Sequence, residues 1–366
     1  MIYGANPRAQ YLAYKNEIDV AVLDVLDQGQ YVLGSQVASF EEEFAQWNQV
    51  QECVGVANGT DALQLALRAL EVSAGDEVIL PSHTAVATAA AVVSVGATPV
   101  FADIDEFFCI SVDSVRALIS PKTKAVIAVH LYGNPAHLDD LLELINSHNI
   151  RLIEDCAQAH GARFHGVRVG TRGALSCFSF YPTKNLGAIG DGGAVLTQDI
   201  SLATRIKELR QYGWRRRYIS DVLGFNSRLD ELQAAILRVK LRYLDQMNQR
   251  RQAIAKLYQD GLGHLNTHLT LPSVRPECEH VFHLYVARAT RRDELLKYAE
   301  EHNVKLGLHY PMPVHQQSAY ADFGKGDLSQ TDHIAREIVS LPMYPELPED
   351  HIEQVIDVIA SFYTSM

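Results

Sequence analysis

The chain has 366 residues, 47% of them hydrophobic, enough to bury one large domain and a smaller one. Its 32 Lys and Arg face 44 Asp and Glu, and the formal charge of −12 argues against binding to a nucleic-acid backbone. No apolar run spans a bilayer without interruption and the N-terminus lacks a basic-then-apolar leader, so a soluble cytoplasmic protein is expected. The five cysteines, Cys53, Cys109, Cys156, Cys177 and Cys278, are widely spaced in apolar segments and read as buried thiols. No His or Cys grouping has metal-ligand spacing, so no metal is expected.

Residues 13–29 carry Ile18, Val22, Val25 and Leu26 at helical spacing with Gly29 as the stop, and a second helix is expected over 36–47. Between them, Tyr31 reads either as packing or as a ligand contact. A short strand from Glu52 then leads through Asn58-Gly59-Thr60 into an apolar helix over 62–70. Such a turn exposes free N–H groups at the positive end of a helix, which suits a phosphate, although an ordinary N-cap has the same appearance. Three further strand-then-helix units follow, at 77–81 and 85–95, 98–101 and 112–119, and 124–130 and 137–147. Strands that are apolar throughout and alternate with helices indicate an α/β fold, a large and mostly parallel sheet with helices on both faces. The next strand ends in Glu154 and Asp155, followed by Gln158 and His160. Ligands of open α/β sheets lie beyond the carboxyl ends of strands, so Asp155, Gln158 and His160 are expected to face a site, with capping or surface bonding as the alternative for each.

A strand-like run through Ser179 and Phe180 then enters a glycine-rich loop carrying a lone lysine, Lys184. An amine presented against packed walls is kept partly neutral by desolvation and can condense with an aldehyde, whereas a solvated loop lysine has no such chemistry. After a strand over 194–197 and a helix over 202–209 comes Tyr212-Gly213-Trp214-Arg215-Arg216-Arg217-Tyr218. This run is either a solvated charged face or a seat for a diphosphate and a base. Asn226-Ser227-Arg228 opens a long helix with Leu229, Leu232, Ile236, Val239, Tyr243 and Met247 on one face, and Ser227 with Asp230 or Glu231 fits a capping arrangement. That helix is expected to link a large domain, 1–245, to a smaller C-terminal α+β domain, 246–366, with strands in 280–289 and helices over 292–302 and 349–363. Within the small domain His309, Tyr310 and His315 lie in a stretch stiffened by two prolines, either a rigid loop or a substrate wall.

Four features therefore occur in one order: a Gly-Thr turn between strand and helix, a carboxylate ending a later strand, an amide three residues on, and a lysine in a glycine-flanked loop. Pyridoxal phosphate asks for this set, because its phosphate needs N–H donors, its ring nitrogen a carboxylate and its aldehyde an amine. Across essentially its full length the chain resembles the DegT-type sugar aminotransferases of the fold-type-I pyridoxal phosphate enzymes. The resemblance is carried by Asn58-Gly-Thr-Asp-Ala-Leu, Pro81-Ser-His-Thr, Glu154-Asp-Cys-Ala-Gln-Ala-His-Gly, Ser179-Phe-Tyr-Pro-Thr-Lys-Asn-Leu-Gly and Asn226-Ser-Arg-Leu-Asp-Glu-Leu-Gln-Ala.

The resemblance implies that Lys184 bonds the cofactor and shuttles protons, that Asp155 pairs with the ring nitrogen, and that Gln158 bonds the ring hydroxyl. It also implies that Gly59, Thr60 and Ser179 hold the phosphate, with Asn226 supplied by the second subunit of a homodimer with shared active sites. Family members usually carry an aromatic residue for ring stacking where this chain has Ala85, and His83 is the substitute expected here. Dehydratases of the family replace the lysine with histidine, so retention of Lys184 favours transamination. The implied reaction passes an amino group from glutamate to a nucleotide-linked keto-sugar, with Tyr31, His160, Tyr181, Arg215, Arg217, Tyr218, Arg228, His309, Tyr310 and His315 as candidates for holding it. The Tyr212-Gly-Trp-Arg and Pro313-Val-His-Gln-Gln pieces are most similar to the branch acting on dTDP-linked 3-keto-6-deoxyhexoses. A 4-keto-sugar aminotransferase and a non-catalytic regulator that keeps the cofactor are the rival readings.

Overall fold

In the computed structural model, which describes residues 1–324 and 326–364, the strand-then-helix units assemble into a seven-stranded sheet. Its strands are β1 Glu52–Val56, β2 Glu77–Pro81, β3 Thr98–Ala102, β4 Thr123–Val129, β5 Arg151–Asp155, β6 Leu175–Ser179 and β7 Gly193–Thr197, in the spatial order β1-β7-β6-β5-β4-β2-β3. β7 is antiparallel to both neighbours and every other pairing is parallel. β1 and β6 therefore run the same way, and the carboxyl ends of β1, β6, β5, β4 and β2 share one edge. Helices α1 Pro7–Ala13, α2 Lys15–Gln28, α3 Ser35–Asn48, α4 Gly59–Ala69, α5 Val86–Ser94, α6 Val112–Leu118, α7 Leu138–Asn146, α8 Ile200–Leu209 and α9 Glu231–Leu241 surround it. Two apolar clusters result, one per face: Phe40, Phe44, Leu141 and Leu237 lie in the first, Leu65, Val92 and Ile206 in the second.

The linking helix is two helices, α9 and α10 Leu244–Leu262. The first expected helix forms as α2 with Gly29 as its C-cap, and a break at Tyr14, whose φ −118 and ψ 19 leave the helical basin, separates it from α1. Tyr243 sits at the second break with φ −108 and ψ −2. The two rings stack on each other with centroids 4.3 Å apart, so each break places an aromatic ring against the other. The expected cap at Ser227 is not formed. Ser227 Oγ accepts the Ala57 N–H at 3.1 Å, and Asp230 holds the N-cap position with no side-chain bond. Glu231 instead caps α3, accepting the N–H groups of Gly34, Gln36 and Val37 at 2.7, 2.8 and 2.9 Å.

Between α8 and α9 lies a hairpin of β8 Trp214–Arg216 and β9 Ile219–Ser220. The C-terminal part has an antiparallel sheet of β10 Leu269–Thr270, β11 Tyr285–Ala289 and β12 Ile338–Leu341, packed with α10, α11 Arg292–Glu301 and α13 Glu349–Thr364. α12 Ser329–Glu337 and β12 have no counterpart in the sequence reading. Ile2 joins this separate core, its N–H donating to Asn303 O at 2.8 Å while its carbonyl accepts from Lys305 N at 2.8 Å. All five cysteines are buried free thiols.

Candidate active site

The end of β1 runs straight into α4. Asn58 Oδ1 accepts the Asp61 N–H at 2.8 Å and Asn58 O accepts that of Ala62 at 3.0 Å. The N–H groups of Gly59 and Thr60 have no acceptor among the described residues, so two donors at the positive helix end remain free. Ser179, at the end of β6, stands against this turn: a Cβ on Gly59 would lie 2.7 Å from Ser179 Cβ. Only glycine permits that approach, and the hydroxyl and the two N–H groups converge on a seat that fits a phosphate.

Asp155 ends β5 one strand away and is buried. Burial pushes its carboxyl pKa up, opposed by the Ala157 N–H at 3.1 Å, the Thr88 hydroxyl at 3.1 Å and the Lys184 charge. Thr88 is itself bonded to Thr84 at 3.1 Å, and these two threonines are one helical turn apart. Thr84 precedes the N-cap Ala85, so the pair joins the turn after β2 to the first turn of α5 behind the carboxylate. Lys184 lies in the loop whose N–H donates to Tyr181 O at 2.8 Å. Its residue surface is half-buried but its amine is enclosed, and burial lowers its pKa to about 8 against the pull of Asp155. No hydrogen bond within the described residues engages that amine. The imidazoles of His160, His283 and His309 are all lowered by burial and further by the Lys184 charge. These imidazoles are neutral at neutral pH, which leaves the Asp155 carboxylate as the opposing charge for Lys184.

This shift has a measurable sign. The unfolded lysine, at 10.5, binds a proton that the folded one has released above about 8, so stability of the cofactor-free protein rises with pH across that window. We expect Lys184→Met to be the more stable of the two at pH 7 and the gap to close by pH 10, read as melting temperatures of the cofactor-free forms.

Glu154, beside Asp155 but pointing to the other face, is a structural anchor. Its carboxylate accepts from His130 Nε2 at 3.0 Å and from the backbone N–H groups of Gly170, Arg172 and Gly173 at 2.7, 2.8 and 2.6 Å. Burial raises its pKa, but these donors outweigh burial and leave it lowered. His130, Glu154 and Cys156 are clustered closely enough for a metal. However, His130 Nδ1 accepts the Ala136 N–H at 3.0 Å, so Nε2 carries the proton and the ring has no lone pair to give. Glu154→Ala would strand the buried Gly170 N–H, the partly buried Arg172 and Gly173 N–H groups and the buried His130 ring, and the expected loss is about 3–5 kcal/mol of stability, measured by urea unfolding.

Gln158 and Tyr310 meet: Gln158 Oε1 accepts the Tyr132 N–H at 2.7 Å and its Nε2 donates to the Tyr310 hydroxyl at 2.7 Å. His309 is brought beside the lysine with Nδ1 bonded to Ser340 Oγ at 2.8 Å. Several expectations need correction. His83 is fully buried, bonded through Nε2 to the Tyr132 hydroxyl at 2.8 Å and edge-on to that ring, so it forms the layer behind Gln158 and Tyr310 and does not offer a stacking face. His160 is also fully buried, packed against Phe178 and Phe180 beneath the site, and does not face a substrate. His315 clamps the end of β2 to α12, because Nδ1 meets Ser82 Oγ at 2.6 Å and Nε2 meets Asp332 Oδ1 at 3.2 Å, which uses both ring nitrogens. The buried Ser82 hydroxyl in that line is inaccessible to a substrate.

The remaining candidates are not gathered around Lys184 by contacts within this chain. Tyr31 and Tyr181 are 49% and 55% exposed, and Asn226 is exposed beside the buried Ser227. Arg228 is half-buried and makes no ion pair among the described residues. Arg215 pairs with Glu208 at 2.7 Å, and Arg217 lies over Tyr218, which is 73% exposed on the β8–β9 hairpin. Residues that sequence reasoning missed are Thr88, Tyr132, Asn185 and His283. Asn185 follows the lysine directly and bonds Asn248 Oδ1 at 2.8 Å, Val281 O at 3.1 Å and His283 Nδ1 at 3.2 Å, tying the loop to α10 and to the segment before β11.

Known proteins are similar to this chain along nearly its whole length. A dTDP-3-amino-3,4,6-trideoxy-alpha-D-glucose transaminase of Streptomyces venezuelae is 45% identical over 355 residues, covering 96% of this chain and 93% of that protein. A UDP-N-acetyl-3-dehydro-alpha-D-glucosamine 3-aminotransferase of Acidithiobacillus ferrooxidans is 43% identical over 353 residues, 96% of this chain and 95% of the relative. The crystal structure of S. venezuelae DesV in complex with a ketimine intermediate superposes with a TM-score of 0.96 at 44% identity, covering 99% of this chain and 98% of that one. With the profile of the DegT/DnrJ/EryC1/StrS aminotransferase family matching residues 13–360, the chain belongs to that family and is an aminotransferase whose cofactor is pyridoxal phosphate.

Proposed function

We propose that the protein transfers an amino group from glutamate to a nucleotide-linked keto-6-deoxy-sugar, with a dTDP-linked 3-keto-6-deoxyhexose as the substrate, in deoxyamino-sugar biosynthesis. The observation that carries this reading is the enclosed, unpartnered Lys184 amine facing the buried Asp155 at the sheet edge where Gly59, Thr60 and Ser179 leave a phosphate seat. Bound pyridoxal phosphate supplies the aldehyde that accepts the amino group and the ring that takes up electrons. Gly59 N, Thr60 N and the Ser179 hydroxyl hold its phosphate, Asp155 keeps the ring nitrogen protonated, and Gln158 Nε2 donates to the ring oxygen. Lys184 Nζ would hold the cofactor's aldehyde carbon and would take up and return the proton at the substrate carbon. His309, beside the lysine, would contact the incoming sugar.

The names of relatives support amination at carbon 3, on both dTDP-linked and UDP-linked sugars. Incubation with paired 3-keto and 4-keto sugars on each nucleotide separates the readings, and product from a 4-keto compound alone would overturn carbon 3. The reading includes a homodimer with shared sites. It is supported by the outward-facing Asn226, by the exposed Arg215–Tyr218 hairpin, and by exposed Val86, Ile189, Leu223 and Met312. Mixed dimers of Lys184→Ala and Asn226→Ala subunits then contain one intact site and regain activity; verified mixed dimers without any regain would sink the shared site. No helix among the described residues is long and apolar enough to cross a membrane, in keeping with work on a water-soluble nucleotide sugar.

A further inference from the structure

Tyr310 occupies a position that a role in sugar binding does not account for. Gln158 Oε1 is committed to the Tyr132 N–H, which fixes the rotation of the amide and aims its Nε2 at Tyr310. One Nε2 hydrogen is spent on the Tyr310 hydroxyl and the other remains for the site. The hydroxyl, acting there as acceptor, keeps its own proton, and no acceptor among the described residues takes it. The ring is stacked on Tyr132 at 6.3 Å, lies edge-on to His83 at 6.4 Å and is steeply inclined to His309 at 6.4 Å. Tyr132 continues the chain of bonds to His83 and to the His309 carbonyl, at 2.8 and 3.1 Å. Tyr132 and Tyr310 both have positive φ, 60 and 65, a costly backbone state for a bulky residue that persists only where surrounding contacts enforce it.

Resting on the reading of Gln158 as the ring-oxygen donor, we propose that Tyr310 is a positioning residue on the same edge of the cofactor: its hydroxyl holds the Gln158 amide so that the remaining Nε2–H meets the ring oxygen, and it adds its own O–H as a second donor. The groups facing Tyr310 are Asp155, Tyr132, His83, His309 and the Gln158 amide. Burial and the Asp155 charge push the phenol up to about 12, so it remains a donor throughout the working range. Burial lowers His83 and His309, and burial raises Tyr132, so Asp155 is the charge on this side.

Donors at the ring oxygen withdraw electron density and lower the proton affinity of the chromophore. The test is the pH titration of the visible absorption band of cofactor-loaded protein. For Tyr310→Phe the midpoint is expected to rise by about half a pH unit, a roughly threefold change in proton affinity, and for Gln158→Leu by more. Tyr132→Phe leaves the midpoint in place, because Tyr132 reaches Gln158 through its backbone. A Tyr310→Phe midpoint equal to wild type while Gln158→Leu moves would overturn the role of Tyr310 alone. No movement in Gln158→Leu would overturn the Gln158 reading beneath it. Should Tyr310→Phe not load cofactor, 3-fluorotyrosine at position 310, a stronger donor of nearly the same shape, lowers the midpoint; an unchanged value there rejects the proposal.

Discussion

Lys184→Ala should lose turnover by about 10⁴-fold or more while the protein keeps its fold, since both covalent attachment of the cofactor and proton transfer pass through one amine. The loop does not depend on that side chain. Its backbone is held by Lys184 N to Tyr181 O at 2.8 Å and Ala188 N to Phe180 O at 2.7 Å, and Lys240 Nζ reaches Gly187 O at 2.6 Å from α9. The amine itself makes no hydrogen bond within the described residues, so truncation strands no partner, and it removes a charge that burial already disfavours. Melting temperature of the cofactor-free form should therefore not fall at pH 7, because relief of the buried charge, the gain expected of Lys184→Met, offsets the packing that the shorter alanine gives up. Borohydride treatment followed by mass spectrometry should find a cofactor adduct in wild type and none in the variant. An adduct retained in Lys184→Ala would mean that another amine does the work, and the assignment would fall.

Much of this was legible in the sequence where a local pattern carries the information. Fully buried parallel strands are continuous apolar runs, and Glu77–Pro81 forms over the residues that such a run marks out. The Gly-Thr turn, Asp155 and Lys184 stood out for a chemical reason, and the structure gives them free N–H groups at a helix end, a buried carboxylate and an enclosed amine. Pairings across the chain were not. His315 looked like part of a substrate wall because nothing near it in sequence reveals that Ser82, 233 residues away, and Asp332 take both its nitrogens. His160 looked like a site residue because it follows Gln158 in a turn with no period, so depth could not be read from spacing; the structure packs it on Phe178 and Phe180. The breaks at Tyr14 and Tyr243 fall in stretches without Gly or Pro. Apolar residues continue in phase through both, and only the stacking of the two tyrosines distinguishes them. β12 Ile338–Leu341 escaped notice because Ile-Val-Ser-Leu, a short and mostly apolar run directly after a helix, is as good a helix end as a strand.

Asp155→Asn should be the second most damaging change to catalysis, on the order of 10³-fold in turnover, with a much smaller effect on folding. The amide keeps the shape and can accept the Ala157 N–H, so one of the two bonds that fix the side chain survives. What it loses is the negative charge. Burial has already raised the carboxyl pKa, and the Thr88 hydroxyl, the Ala157 N–H and Lys184 are what favour the ionised form. A neutral amide at that point has no reason to hold a proton on the ring nitrogen, and the bound ring loses its capacity to take up electrons. Cofactor affinity should fall less than turnover, because the phosphate seat at Gly59, Thr60 and Ser179 is untouched. The decisive measurement is a single-turnover rate with glutamate alone, which isolates the first half of the reaction from sugar binding. A rate within tenfold of wild type, with cofactor bound, would show that the carboxylate at the end of β5 is not the partner of the ring.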